Sequence, residues 1–285
     1  MARILLTWEL DDIQRTDGTM EENNERGNTR DAGSPRREVI TLAPWFHNLH
    51  LPDGTQTAPD HELGDFPAYK WHELEPALPD RLDGWTALDI GCNAGFYSFE
   101  LARRGARVTA IDSNPHYLDQ ARWAAPRFGL MEQIEFREQQ VYDLAHDPQN
   151  YDLVLFLGVL YHLRYPMLAL DIVSRKAKRI LCLQTMTMPG EDIMIDRDCL
   201  GLGDGDRLLE PGWPKMAFIE GRSPTNWWAP NHACMEAMLR SCGMEVMDRP
   251  GTDLYLCKPH SGGAAARELN VAALKAALGR NSANH

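Results

Sequence analysis

Residues 85–114 read WTALDIGCNAGFYSFELARRGARVTAIDSN, and the apolar spacing within them changes character twice. From Trp85 to Ile90 the run is mostly apolar, as in a buried strand, and it breaks at Gly91. A short turn with a second glycine, Gly95, follows. From Phe96 the spacing is helical, with Phe96, Phe99, Leu101 and Ala102 on one face. Arg103 and Arg104 close the helix, and Gly105 stands where a left-handed C-terminal cap belongs. A second apolar run, Arg107 to Ile111, then ends at Asp112. The unit is strand, glycine turn, helix, and strand with a terminal acid.

Such a unit can hold a nucleoside. Gly91 and Gly95 remove side chains from the path of a ligand, the helix N-terminus offers N–H groups, and Asp112 can accept both hydroxyls of a ribose. A dinucleotide fingerprint needs three glycines spaced GxGxxG. The turn here reads Asp89-Ile90-Gly91-Cys92-Asn93-Ala94-Gly95, with no third glycine and an acid ahead of the first. It resembles motif I of the class I S-adenosylmethionine-dependent methyltransferases, in which the glycines pass under the cofactor's methionine portion and the acid supports it. That resemblance implies S-adenosyl-L-methionine as cofactor, held by Asp89, Gly91, Cys92, Asn93, Gly95, Asp112 and Ser113. The plainer alternative is an ordinary glycine-rich turn of an α/β protein.

Upstream, residues 1–36 are expected to be a mobile arm, because 11–36 are polar and nearly empty of large apolar groups. Residues 37–84 form a helical cover: one short helix ending near Pro44, an aromatic-rich turn, and a second helical pattern from Phe66 through Leu78. Downstream, a helix is expected over Tyr117 to Phe128 and a strand over Ile134 to Arg137. Val141 and Tyr142, just beyond that strand, are placed where an adenine would be held. Tyr151 to Leu157 is a nearly unbroken apolar run, as in a central parallel strand covered on both faces. It ends in Leu157-Gly158-Val159-Leu160-Tyr161-His162. Ligands of open α/β sheets bind beyond the carboxyl ends of strands, so Leu157, Gly158, Tyr161 and His162 are expected beside the cofactor. A helix over Pro166 to Ala177 and a strand over Arg179 to Thr185 lead to a long irregular segment, 188–226, read as a lid. A helix from Asn231 to Cys242 and an antiparallel hairpin close the core, 85–260, and 261–285 is read as a helical tail. The fold class is therefore α/β: a doubly wound, seven-stranded, mostly parallel sheet with an N-terminal helical cover.

The 285 residues include 29 Lys and Arg against 41 Asp and Glu, a net charge of −12. Phosphate neutralisation supplies most of the affinity of polyanion binders, so this balance disfavours tRNA as a partner and favours a small-molecule acceptor. No apolar run reaches the roughly 20 residues of a membrane span, and a cytoplasmic protein is expected. The six cysteines are scattered, without the clustered spacing of a metal site, and are read as reduced buried thiols. The sequence leaves self-association open.

From about Trp45 to Cys257 the chain also resembles a narrower family, the tRNA wobble-uridine carboxymethyltransferases, also described as tRNA (mo5U34)-methyltransferases. The resemblance rests on Lys70-Trp71, Leu88 to Cys92, Gly158 to His162 and the turn Cys242-Gly243. It implies that Lys70 and Trp71 contact the cofactor and that Tyr161 lines the transfer site. The carboxymethyl transfer of that family uses a lysine ahead of the core to pair with the donor's extra carboxylate. The corresponding segment here, Pro44 to His50, has neither lysine nor arginine, which favours the plain cofactor.

Methyl transfer is an in-line displacement that asks the protein for alignment and, for a hydroxyl acceptor, for a base. His162 is the candidate base, or a packing residue beside the cofactor, and Tyr161 a positioning donor. His47, His50, His61, His72 and His232 are read as structural or exposed. Trp227 and Trp228 are placed to stack on an acceptor or to pack the lid. The leading function is methyl transfer to an oxygen or nitrogen of a small molecule. The alternatives are tRNA (carboxy)methyl transfer and a non-catalytic S-adenosylmethionine-binding module.

Overall fold

A computed structural model describes residues 35–194, 205–220, 225–260 and 274–277. In it β1 (Thr86–Ile90) leads through the glycine turn to α3 (Phe96–Arg103) and β2 (Arg107–Asp112). Then come α4 (Pro115–Ala124), β3 (Ile134–Glu138), β4 (Tyr151–Leu157), α5 (Pro166–Lys176) and β5 (Ala177–Gln184). The chain ends its core with α6 (His232–Ser241), β8 (Met244–Asp248) and β9 (Leu254–Pro259). These seven strands form one sheet in the order β3-β2-β1-β4-β5-β9-β8. The first five are parallel, and β9 runs antiparallel to both β5 and β8. The expected doubly wound, mostly parallel sheet is the observed one.

β4 lies between β1 and β5, and Leu153, Val154, Leu155 and Phe156 have no solvent exposure. Its unbroken apolar run follows from that position, since helices cover both faces of the sheet. Two apolar clusters fill those faces. Leu153 and Leu155 join the one containing Phe99, Leu101 and Leu118. Val154 and Phe156 join the other, with Leu170, Val173 and Leu239. Alternate residues of one strand thus point to opposite layers.

Two cover helices, α1 (Pro35–Thr41) and α2 (Phe66–Leu74), are tied to the core by polar contacts. Glu38 pairs with Arg127 and accepts from Trp123 Nε1, while Gln120 donates to the carbonyls of Leu42 and Pro44. Arg104 reaches Glu75 at 3.0 Å. The cover begins at Pro35, two residues before the expected boundary, and the rest of the expected arm lies outside the described residues.

Three further expectations need correction. The α3 face is wider than its spacing implied: Tyr97 and Ser98 are buried with Phe99, Leu101 and Ala102, while Phe96 is half-buried, because α3 packs on α2 as well as on the sheet. The helix after β2 starts at Pro115, where Asn114 caps it by accepting from His116 N–H, and ends at Ala124. The segment 188–226 is not wholly irregular. Its β6 (Met216–Phe218) pairs antiparallel with β7 (Trp228–Pro230), just beyond it. Residues 195–204 and 221–224 of that segment lie outside the described residues. Of the expected tail, 274–277 are helical, with Leu274 buried in the core.

Candidate active site

The carboxyl ends of β1, β2, β4 and β5 lie side by side in the sheet, and the chain places a polar residue at or beyond each. Asp89 is 2 % exposed, and its Oδ2 accepts from the Ser98 hydroxyl at 2.6 Å. Burial, with Asp112 nearby, pushes the Asp89 carboxyl up to about 7. At the end of β2, Asp112 accepts the Asn93 N–H at 2.9 Å and the Asn114 N–H at 2.8 Å. Burial raises its carboxyl as well, against those hydrogen bonds. The Ser113 N–H also lies within hydrogen-bonding reach, and the four acceptor sites of a carboxylate leave room for a ligand beside these three donors.

The glycines have work to do before any ligand arrives. Gly91 has φ +72°, and a Cβ there would stand 2.4 Å from Val159 Cγ2. Gly95 has φ +90°, and its Cβ would meet Phe99 and Ala121 at 2.9 and 3.2 Å. Close packing therefore demands glycine at both, in addition to the positive φ. Asn93 takes positive φ too, and its Oδ1 accepts the Ala94 N–H. Cys92 is wholly buried, and burial holds its thiol protonated.

Beyond β4, Gly158 donates its N–H to the Gln184 carbonyl at 3.2 Å, and Tyr161 and His162 follow with ring centroids 4.1 Å apart. Burial, with Asp253 nearby, pushes the Tyr161 phenol up to about 12. Burial also lowers His162 below its ordinary value, so it is neutral near pH 7. His162 Nδ1 lies 3.0 Å from the Thr225 carbonyl. A carbonyl only accepts, so Nδ1 carries the proton and Nε2 keeps its lone pair. Trp227 N–H donates to the Tyr161 carbonyl at 2.8 Å, so the strand entering β7 is laid along the Tyr161-His162 turn.

Several participants carried no sequence signal. Asp253, just ahead of β9, accepts from Gln184 Nε2 at 2.6 Å and from Lys70 Nζ at 2.8 Å. Lys70 is thus paired with Asp253 and Glu73, an arrangement that pins α2 to the sheet end. Tyr97, in motif position, is buried, and Asp89, Asp253, Tyr161 and Glu73 all lie within electrostatic reach of its phenol. Its place in the helix after the glycine turn was the one available clue. Trp71 is 4 % exposed under the Arg104 guanidinium and lines a cavity of about 290 Å³ with Phe96, Phe99 and Phe128. None of Asp89, Asp112, Tyr161 and His162 lines that cavity. Val141 is buried in the core, Tyr142 and Leu157 are half-buried, and Ser113 is exposed.

Residues 87–181 match the family described as methyltransferase domain. The N-terminal domain of EvdMO1, crystallised with S-adenosylhomocysteine, superposes with a TM-score of 0.56 at 20% identity, covering 80% of this chain and 95% of that one. Residues 87–181 thus resemble a methyltransferase domain in sequence, and the sheet around them has the fold of the EvdMO1 domain. Among curated relatives, a tRNA U34 carboxymethyltransferase of Cellvibrio japonicus is 26% identical over 206 residues, 71% of this chain and 55% of the relative. A ubiquinone biosynthesis O-methyltransferase of Methylocella silvestris is 37% identical over 112 residues, 39% of each chain. The chain thus spans about half or less of the length of the curated relatives it matches.

The residues of this site fit S-adenosylmethionine as cofactor. Asp89 is a buried acid whose hydrogen bonds, among the described residues, come from Ser98 alone, and no cationic side chain appears among the groups that act on it. The complement of such a group is a cation, and the cofactor carries an ammonium and a sulfonium. Asp112 lies one strand away, where a diol can use its remaining lone pairs.

Proposed function

We propose that this chain transfers a methyl group from S-adenosylmethionine to an oxygen, or alternatively a nitrogen, of a small-molecule acceptor in the cytoplasm. A sugar-like hydroxyl is the first acceptor class to test. The state of His162 carries this reading: it is half-buried and neutral, with its proton held at Nδ1 by Thr225 and its Nε2 lone pair available to take a hydroxyl proton. The bound cofactor supplies an activated methyl on a positively charged sulfur. Asp89 and Asp112 orient that donor, the turn 91–95 lets it approach the backbone, and Tyr161 helps position the acceptor. Lys70 acts by holding Asp253, and Trp71 by supporting Tyr97 from beneath, with ring centroids 6.4 Å apart. The EvdMO1 domain has also been crystallised with S-adenosylhomocysteine and D-fucose, which makes D-fucose a sensible first probe.

A second reading, carboxymethyl transfer to a tRNA wobble uridine, draws support from the relative that matches 71% of this chain. Against it stand the net charge of −12 and the chemistry of the segment Pro44 to His50. Burial lowers His47 to about 3, so its imidazole supplies no cation for an extra carboxylate. Calorimetric titration with S-adenosylmethionine and with carboxy-S-adenosylmethionine, on wild type and Asp112→Ala, separates the readings. Preference for the plain cofactor, lost in Asp112→Ala, is expected, followed by methyl transfer to a hydroxylated acceptor. Tighter binding of the carboxylated donor moves the tRNA reading to first place. Cofactor binding without turnover on any acceptor leaves the chain a binding module.

A further inference from the structure

Asn226 lies between the two residues that fasten the lid strand to the catalytic turn, Thr225 on His162 and Trp227 on Tyr161. It is 4 % exposed, and its Oδ1 is buried without a hydrogen-bond partner among the described residues. Two positions on, Trp228 Nε1 is likewise buried and unpartnered. At strand spacing, 226 and 228 share one face of the segment entering β7. Among the described residues, that face therefore offers one unpaired acceptor and one unpaired donor, next to the turn that carries His162. Buried polar groups are almost always satisfied, and a pair left open beside a reactive group is what a ligand would complete.

We infer that Asn226 and Trp228 are the acceptor-recognition residues of this site, and that the acceptor carries at least one hydroxyl beyond the one that reacts. That hydroxyl, or a neighbouring pair, donates to Asn226 Oδ1 and accepts from Trp228 Nε1, and the reacting hydroxyl is left to His162. The acceptor class is then a polyol or glycoside rather than a lone phenol. This inference rests on the methyltransferase reading, so the test separates the two.

The test uses Asn226→Leu, which keeps side-chain size and removes the orphaned carbonyl, and Trp228→Phe, which keeps an aromatic ring on Phe218. S-adenosylhomocysteine is titrated first, and equal binding to wild type and both variants is expected. Failure of wild type to bind it overturns the methyltransferase reading itself. Saturated protein is then titrated with methyl α-D-glucopyranoside, methyl α-D-galactopyranoside and myo-inositol, with cyclohexanol as the single-hydroxyl control. At least one polyol is expected to bind wild type more tightly than cyclohexanol, and each variant is expected to weaken it by about tenfold or more. In the ligand-free protein, Asn226→Leu is expected to raise Tm by about 3 °C, because it removes an unpaired buried carbonyl. A fall in Tm would mark Asn226 as structural. That result, unchanged polyol affinity in the variants, or no polyol binding to saturated wild type overturns the inference.

Discussion

Replacing Asp89 by asparagine should change how the stability of the ligand-free protein depends on pH. The carboxyl is wholly desolvated, with the Ser98 hydroxyl at 2.6 Å and Asp112 adding a like charge, and it is raised from 3.8 to about 7. Below 3.8 both the folded and the unfolded chain hold the proton, and the full contribution to stability is present. As pH rises towards 7 the unfolded chain has released its proton while the folded chain keeps it, so stability falls, and above about 7 the contribution is gone. Each pH unit in that window is worth about 1.4 kcal/mol, so between pH 5 and 7 the wild type should lose about 3 kcal/mol through this group alone. Asparagine keeps an oxygen to accept from Ser98 and carries no charge. Urea denaturation of both proteins at intervals from about pH 3.5 to 8 should therefore give curves that meet at the acid end and separate as pH rises, with wild type the less stable by about 4 kcal/mol at neutral pH. The comparison cancels titrating groups remote from Asp89. Parallel pH profiles for wild type and Asp89→Asn would refute the argument that this carboxyl is held protonated by burial.

Three other outcomes follow from the same geometry. Gly91→Ala should cost roughly 2–3 kcal/mol by denaturation, from its positive φ and from a Cβ 2.4 Å from Val159, and adding Val159→Ala should recover the steric part while leaving the backbone part. With a hydroxyl acceptor, His162→Gln should lower kcat about 10²-fold or more, and the wild-type rate should hold at neutral pH and fall only in acid, below the ordinary histidine range, because burial lowers the His162 value. Asp253→Asn leaves Lys70 with Glu73 alone and should weaken S-adenosylmethionine binding several-fold by calorimetry, with Asp112→Ala as the more severe reference.

The seven-stranded sheet was legible because its signals are local. The broken apolar run at Gly91, the cap at Gly105 and the unbroken run of β4 each depend on neighbouring residues, and each element appears within a few residues of its expected place. The pairing of β6 with β7 was not legible, since strands of three residues carry too few positions to show an alternation. Lys70 was recognisable as a residue of interest from Lys70-Trp71. That it holds a carboxylate, and which one, was not.

Sequence alone determined the order of elements, the acid that precedes the glycine turn and the acid that ends the second strand, because periodicity and turn chemistry act within a few residues. Tertiary structure decided which groups meet and in what protonation state. Asp253 reaches Lys70 across 183 positions and Gln184 across 69, and Thr225 sets the His162 tautomer across 63. Such contacts form when β9 pairs with β5 and the segment entering β7 lies along the Tyr161-His162 turn. The desolvation that raises Asp89 and lowers His162 likewise comes from packing between separate elements, α3 on β1 for Asp89 and the segment entering β7 on the turn after β4 for His162.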